Sequence, residues 1–251
     1  MINNIKSNLI PKDSHSFFSK NAADSDLYPT PLDFSFSKNQ EKRITLRNRQ
    51  LAAETLGCES DTICFLNQIH SSKVLFVDTT STKVLEKADG MVTNIKGLGL
   101  AILTADCAPL LFFDPIAKVI GAAHAGWRGA LYGIAENTVN AMVKIGATKK
   151  NIAVAIGPCI TQDNYEVGDD LRAKIILNNK KNEKYFFNRT NSKYLFDLSG
   201  FIIGNLQRHG IRTVSSINLC TYKQHNSFHS YRYLRHRGHP YHQRNMSLIK
   251  L

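Results

Sequence analysis

Residues 118–145 read KVIGAAHAGWRGALYGIAENTVNAMVKI, and this stretch changes its hydrophobic period part-way along. Residues 118–123 form a short run rich in apolar side chains, which is typical of a strand. Over residues 126–145 the apolar side chains recur at helical spacing, and Gly146 follows as a stop signal. The stretch therefore predicts a strand that turns into one long helix, with His124 at the junction.

Similar segments lie on both sides of this stretch. Short apolar runs predict strands at residues 62–67, 73–77, 91–93, 98–103, 110–113, 152–156 and 213–217. Helical patterns occupy residues 41–56, 169–178 and 195–209. Strands cluster in the middle and helices flank them without regular alternation, which favours an α+β fold in a single domain over residues 1–251. Residues 19–40 are polar and contain Pro29 and Pro31, so we expect a long loop there.

The composition excludes several classes of protein. The 251 residues are 43% hydrophobic and carry a net charge of +12, an excess that favours anionic partners. The five cysteines include no C-x-x-C pair, which argues against a disulfide framework or a four-cysteine zinc site. No apolar run approaches the length of a signal peptide core or a membrane helix. We therefore expect a cytoplasmic protein that has no membrane partner.

Three metal-capable side chains come directly after, or at the end of, predicted strands: His70, Cys107 and His124. Loops gather at strand ends, and sites form there. Two imidazoles and a thiolate suit Zn²⁺ and leave a fourth position for water or substrate. A buried cysteine is also an ordinary core residue, so the spacing alone leaves both interpretations open.

The residues after His124 add an anion site to this prediction. Gly126 to Gly129 open the predicted helix, where free N–H groups and the helix dipole attract anions, and Arg128 adds a planar donor. The glycines could equally serve only a tight strand-to-helix turn. Asp106 could orient a metal ligand or act as a simple cap.

Five motifs follow one another in a specific order: NQIHS (67–71), ADGMVTN (88–94), TADCAP (104–109), GAAHAGWRG (121–129) and AIGPCI (155–160). Over roughly residues 43–251 the chain resembles the YfiH family, also called the laccase-domain or polyphenol oxidase family. The resemblance implies two packed mixed β-sheets flanked by helices (α/β/β/α), with zinc held by His70, Cys107 and His124. It also implies a purine nucleoside phosphorylase acting on adenosine, inosine or methylthioadenosine, with adenosine deaminase as a side activity. Relatives in bacteria are also linked to editing of peptidoglycan precursors.

Two activities fit the residues less well. A multicopper laccase needs a trinuclear cluster built from paired imidazoles, and the chain contains no H-x-H, so we expect copper only as an adventitious substitute for zinc. The zinc deaminase signature of H-x-E with P-C-x-x-C is also absent, because Pro158-Cys159 has no second cysteine.

For phosphorolysis we expect Cys107, His124 and Asp106 to be catalytic. The residues expected to bind substrate or phosphate are Arg128, Arg49, Asn67, Gln68 and Arg244. The N-terminal segment departs from the family's pattern of an arginine followed by Gly-Gly and Ser, because Lys20 replaces the arginine and no glycine pair follows.

Two further classes of function stay open. Cys107 with His124 as base would make a cysteine hydrolase or transferase, with activity that survives chelation. The C-terminal segment from Arg208 to Lys250 interleaves aromatic residues with Arg and His, as a single-stranded RNA-binding surface would. Steeply salt-dependent binding to single-stranded RNA would support that alternative, and no binding at low salt would exclude it.

Overall fold

The computed structural model describes residues 2–22, 31–36, 41–78, 84–190, 192–240 and 243–251. The strands are β1 (Ile2–Ile5), β2 (His15–Ala22), β3 (Ile63–Asn67), β4 (Val74–Phe76), β5 (Val84–Lys87), β6 (Gly90–Thr93), β7 (Gly99–Thr104), β8 (Ala108–Asp114), β9 (Val119–Ala125), β10 (Ala153–Ile156), β11 (Glu166–Gly168), β12 (Phe186–Thr190), β13 (Lys193–Phe196), β14 (Thr213–Ser216) and β15 (Asn245–Lys250). The helices are α1 (Lys42–Leu56), α2 (Trp127–Leu131), α3 (Ile134–Lys144), α4 (Asp169–Asn178), α5 (Leu198–Arg208) and α6 (Tyr231–His236).

Two six-stranded mixed sheets form the centre of the molecule. The order in one is β1-β2-β15-β7-β3-β5, and the order in the other is β14-β10-β8-β9-β6-β4. In the first sheet β3 runs parallel to both β5 and β7, whereas β15 pairs antiparallel with β2 and β7. A small third sheet has the order β11-β13-β12.

Alternation along β8 explains how the layers pack. Leu111 and Phe113 join the apolar cluster shared with the first sheet, whereas Leu110 and Phe112 join the cluster shared with α3 and α5. Successive side chains of a strand point to opposite faces, so one strand serves two cores. On the outer face of the first sheet, α1 packs its Leu51 against the strands. The structure thus confirms the predicted fold class, with two mixed sheets flanked by helices.

Most predicted elements are present with small shifts, but the predicted helix over residues 126–145 is wrong as a single element. It is divided into α2 and α3 at Gly133, whose φ is 82°. A glycine inside a helical pattern is compatible with a continuous helix and gives no warning of such a break.

Two other predicted segments begin later in the structure than the sequence predicts. The loop expected over residues 19–40 begins later, because β2 continues to Ala22. Within that segment residues 31–36 have no regular structure, and residues 23–30 and 37–40 lie outside the described part of the chain. The helix expected from residue 195 begins at Leu198, because β13 continues to Phe196. In the part of the chain that the structure describes, no helix is long and apolar enough to cross a membrane.

Candidate metal centre and adjoining cavity

Three side chains from different parts of the fold meet at one end of the two sheets. His70 follows β3, Cys107 follows β7, and His124 lies within β9 of the other sheet. Their ligand atoms all lie within 4.8 Å of one another, and the Cys107 Sγ is 3.9 Å from the His70 Nε2. The two imidazole rings meet edge to face, with 4.7 Å between their centroids.

A buried carboxylate, that of Asp89, holds both histidines in place. Its Oδ1 accepts hydrogen bonds from His124 Nδ1 at 2.8 Å and from the backbone N–H of His70 at 2.9 Å. Its Oδ2 accepts from the backbone N–H and the hydroxyl of Ser71, at 2.6 and 2.8 Å. Because the Nδ1 proton of His124 points at a carboxylate, the Nε2 of this ring is left as the ligand atom.

The backbone at the site is held in an uncommon conformation. His70 has a φ of 60° and Asp106 a φ of 81°, and L side chains rarely adopt these values. Such residues persist where the surroundings over-determine them, and they concentrate at functional sites. Around His70 the surroundings are the Asp89 oxygens, which also accept a hydrogen bond from the N–H of Ile69.

The electrostatics of the group favour a thiolate. Burial disfavours charge on Cys107, but the neighbouring His124 and His70 rings outweigh it and lower the pKa of the thiol to about 6. Burial likewise opposes charge on His124, whereas the Cys107 sulfur and Asp89 raise the pKa of this imidazole. The hydrogen bonds from His124 and Ser71 outweigh burial and lower the pKa of Asp89 to about 2.

The donor set fits a zinc ion. One thiolate and two imidazoles are ligands that Zn²⁺ accepts, and three protein ligands are typical of a catalytic site with an open position. A side chain at Gly126 would fill the space between two of them, since its Cβ would lie 3.0 Å from the Cys107 Sγ and 3.1 Å from the His70 Cδ2. Among the described residues this is the one group of three or more side chains able to hold a metal.

A cavity of about 540 Å³ opens beside the three side chains. Its lining includes cationic and aromatic side chains: Arg128, Arg232, Arg244, Trp127, Tyr165 and Tyr231. The Arg128 guanidinium lies over the Trp127 ring, and that of Arg232 lies 5.7 Å from the centre of the Tyr165 ring. The cavity has the size and the mixed lining of a small-molecule site.

A protein-family model described as multi-copper polyphenol oxidoreductase laccase matches residues 14–251. The chain belongs to this laccase-domain family. It is 38% identical over 189 residues to a Rickettsia conorii protein named purine nucleoside phosphorylase, covering 74% of this chain and 77% of that one. A Rickettsia prowazekii protein of the same name is 35% identical over 188 residues, with the same coverage.

Solved structures also resemble this chain. The hypothetical protein YfiH of Bacillus licheniformis superposes with a TM-score of 0.85 at 28% identity, over 94% of this chain and 92% of that one. The expected membership of the YfiH family is therefore confirmed. The family implies metal binding. The described residues of this chain offer one group of three side chains that could hold a metal ion. A multicopper oxidase needs a trinuclear copper cluster in addition to a single metal site.

Asp106 lines the cavity, but its oxygens are directed to the C-terminal segment. They accept hydrogen bonds from the Thr221 hydroxyl and from the backbone N–H of Arg232, both at 2.6 Å. Burial raises the pKa of this carboxyl, against the effect of those hydrogen bonds. The carboxylate that contacts a candidate ligand is Asp89, whereas Asp106 anchors the segment that carries Arg232 beside the cavity.

The residues expected to bind substrate or phosphate separate into two groups. Arg128, Gln68 and Arg244 line the cavity, although the Gln68 amide already bonds to both backbone groups of Leu103. Neither Arg49 nor Asn67 is among the described residues that line it.

Arg49 has structural contacts instead. Its guanidinium lies 3.7 Å from the centre of the Phe65 ring and 4.4 Å from that of Phe36, and its Nε donates to the Phe34 carbonyl at 3.0 Å. Arginine stacks well on aromatic faces, so this side chain fastens residues 34–36 to the first sheet.

Two cavity residues, Tyr165 and Arg232, were missed by sequence reasoning. Tyr165 follows a short 3-10 turn, and Arg232 lies in the six-residue helix α6, so neither belongs to a long periodic segment. In the C-terminal segment, several of the aromatic and basic residues of the possible RNA-binding surface pack against each other. His225 stacks on Tyr233 with 3.8 Å between centroids, and the Tyr222 hydroxyl bonds to His236 at 3.1 Å.

Proposed function

We propose that this chain is a zinc-dependent purine nucleoside phosphorylase. It would convert adenosine or inosine, and methylthioadenosine as a further substrate, with phosphate into the free base and ribose 1-phosphate. The observation that carries the proposal is the cavity that joins three arginines and three aromatic side chains to the His–Cys–His group. The name of the two Rickettsia relatives supports it. A reduced cytoplasmic location is part of the proposal, since the five cysteines are free.

Phosphate binding would be the task of Arg128, Arg232 and Arg244. Arg232 uses one guanidinium N–H on the Glu166 carbonyl and Arg244 one on the Gln243 carbonyl, and each guanidinium has five N–H donors. The remaining donors suit the oxygens of a phosphate dianion.

In the reaction, a phosphate oxygen forms a bond to the anomeric carbon while the bond from that carbon to the purine nitrogen breaks. The electron pair leaves with the purine, which takes up a proton to become the free base, and the attacking hydrogenphosphate dianion gives up its own proton, so the protons balance. Positive charge develops on the ribose in the transition state, where the anionic phosphate stabilises it. Burial raises the pKa of Tyr165, so its hydroxyl stays protonated and can donate a hydrogen bond to the departing base.

The metal would be held by His70, Cys107 and His124. When bound, zinc supplies a Lewis acid for an oxygen of phosphate, substrate or water. The role of Asp89 is to hold the His124 ring and the turn at His70. Deamination of adenosine is proposed as a side activity, and release of ammonia without phosphate would measure it.

A second candidate is a cysteine hydrolase, because Cys107, His124 and Asp89 form a thiol–imidazole–carboxylate series. Such a series activates a cysteine nucleophile without metal. The two candidates differ in how their activity responds to a chelator. A chelator removes activity from the phosphorylase, whereas the hydrolase stays active and is inactivated by alkylation of Cys107.

The test is phosphate-dependent release of free base from adenosine and inosine, with the wild type beside Cys107→Ala. Cys58→Ala is the matched control, since Cys58 lies after α1 and does not line the cavity. We expect release only with phosphate, loss of more than about 100-fold in Cys107→Ala and full activity in Cys58→Ala. Absence of release from the zinc-loaded wild type would refute phosphorolysis and direct the search to peptidoglycan precursors.

A further inference from the structure

A second cavity, of about 270 Å³, is formed by residues of the helices outside the second sheet. It shares no lining residue with the cavity at the candidate metal centre. Leu131 of α2 and Phe201 of α5 are its apolar lining. The other described residues that line it are one glutamate, four asparagines, one arginine and one histidine. Such a polar lining differs from a packing defect, because voids left in apolar cores are lined by apolar groups.

Two residues of this lining, Glu136 and Asn182, each have one enclosed side-chain oxygen without a hydrogen-bond partner, Oε2 and Oδ1 respectively. Asn182 is only 3% exposed, and its Nδ2 donates to the Ile175 carbonyl at 3.1 Å. That bond fixes the orientation of the amide, because a carbonyl accepts only from the NH₂ group. Buried polar groups are normally paired, so two unpaired acceptors beside one cavity indicate a missing donor.

The charges of this region favour a cationic donor. Burial raises the pKa of Glu136, and its own backbone N–H and the charge of Arg208 oppose that effect only in part. Among the ion pairs of the described residues, none includes Glu136. The carboxyl ends of α4 and α5 also reach the cavity, through Asn178 and Arg208, and helix carboxyl ends attract cations.

We propose that this cavity binds a small organic ammonium ion, whose N–H groups donate to Glu136 and Asn182. A divalent metal ion fits less well. It would find a single carboxylate in this lining, whereas Ca²⁺ and Mg²⁺ take several oxygen ligands.

The test compares two probes of similar size, ethanolamine and ethylene glycol, by isothermal titration calorimetry of the full chain. We expect ethanolamine to bind and ethylene glycol, which has no charge, to bind at least about tenfold more weakly. L-Serine and putrescine, titrated alongside, distinguish an amino acid from a diamine as the source of the ammonium group.

Variants then assign the binding to this cavity. Glu136→Gln keeps the shape and removes the charge, so ethanolamine affinity should fall about tenfold. Glu59→Gln, at an exposed position outside the cavity, should leave it unchanged. Arg208→Gln, also at an exposed position, removes a competing positive charge and should strengthen ethanolamine binding.

Three results would overturn the proposal. One is the absence of ethanolamine binding up to about 10 mM. Another is equal binding of ethylene glycol. The third is unchanged affinity in a folded Glu136→Gln variant. If that variant does not fold, hydrogen exchange of the wild type decides. Protection by ethanolamine in α3 and α5 supports the site, and protection confined to the loops around His70 and Cys107 refutes it.

Discussion

Asp89 hydrogen-bonds at once to the His124 ring and to the backbone of the turn that carries His70. Carboxylates that orient ligating histidines typically contribute 10–100-fold to metal affinity. Asp89→Asn replaces one carboxylate oxygen by an NH₂ group, so at least one of these donors loses its acceptor. We expect zinc affinity to fall by about 10–100-fold, measured by competition with a chelator of known affinity.

The matched control for that variant is Asp114→Asn. Asp114 is also fully buried, and it accepts hydrogen bonds from the backbone N–H groups of Ile116, Ala117 and Thr148. The loss of one carboxylate oxygen in Asp114→Asn should lower the free energy of unfolding without changing zinc affinity. Equal zinc affinity in Asp89→Asn and the wild type would contradict the role given to Asp89.

A second residue controls stability in acid. His229 is buried, and its Nε2 donates to the Leu32 carbonyl at 2.8 Å. Burial lowers the pKa of His229 to about 4, helped by the charges of Lys20 and Arg244 and opposed by the Leu32 bond and Asp33. The unfolded chain therefore binds more protons between pH 6.5 and 4, and the free energy of unfolding falls as the pH drops through this window.

For His229 alone this loss amounts to about 3 kcal/mol, and above about pH 6.5 its contribution is complete. His229→Gln keeps a donor for Leu32 and does not titrate, so its stability should fall less steeply in acid. Urea unfolding between about pH 7.5 and 4.5 measures both slopes. The exposed His239→Gln should retain the wild-type slope, and parallel curves for all three proteins would disprove the prediction.

At the scale of single residues, the metal-capable side chains could be predicted from the sequence, whereas the contacts of the residues around them could not. His70, Cys107 and His124 are recognisable because each is a ligand type at or next to a strand end, and strand ends of packed sheets meet. Asp89 gave no such signal, because an aspartate before a glycine is also an ordinary turn residue. Arg49 carries the right charge, but a linear sequence does not show that two phenylalanine rings cover it.

At the scale of elements, the start of α2 determines how much space surrounds the candidate metal ligands. Gly126 precedes α2 in an extended conformation, so an alanine there strains no backbone, but its Cβ would lie 3.0 Å from the Cys107 Sγ. The neighbours would have to move by a few tenths of an ångström. We expect Gly126→Ala to lower zinc affinity about tenfold while thermal stability changes little.

Gly168→Ala is the control for that substitution. Gly168 holds the same position before α4, also in an extended conformation, and the nearest contact of its added Cβ is the end of the exposed Asp170 side chain. Both variants share the cost of changing the residue before a helix, so a difference in zinc affinity isolates the contact with the site. Identical zinc affinities in the two variants would contradict the prediction, because they would show that Cys107 and His70 can shift to accept the added Cβ without weakening zinc binding.

Elements with local signals were predictable, and those that depend on distant partners were not. The bounds of α4 were predicted without error, because acidic residues at Asp169 and Asp170 mark its first turn. The break at Gly133 and the strand pairing of β2 with β15 gave no local signal. Strand partners separated by more than 200 residues cannot be inferred from either segment alone.

At the scale of the whole molecule, the two ends of the chain meet inside the first sheet. β15 lies between β2 and β7, and five of its six residues are buried. Met246 and Leu248 pack towards α1, whereas Ile249 packs between the two sheets. A central strand that contributes to two cores is needed for both, so the fold depends on the last residues of the chain.

Deletion of residues 245–251 should therefore abolish cooperative folding. The deletion leaves β2 and β7 with unpaired edges and opens both apolar clusters beside them. Deletion of residues 2–6 is the control, because it removes the edge strand β1, which pairs with β2 alone. We expect near-ultraviolet circular dichroism and a sharp thermal transition in the control and neither in the other variant. A sharp transition in the variant without β15 would mean that the second sheet and its helices fold independently of the first.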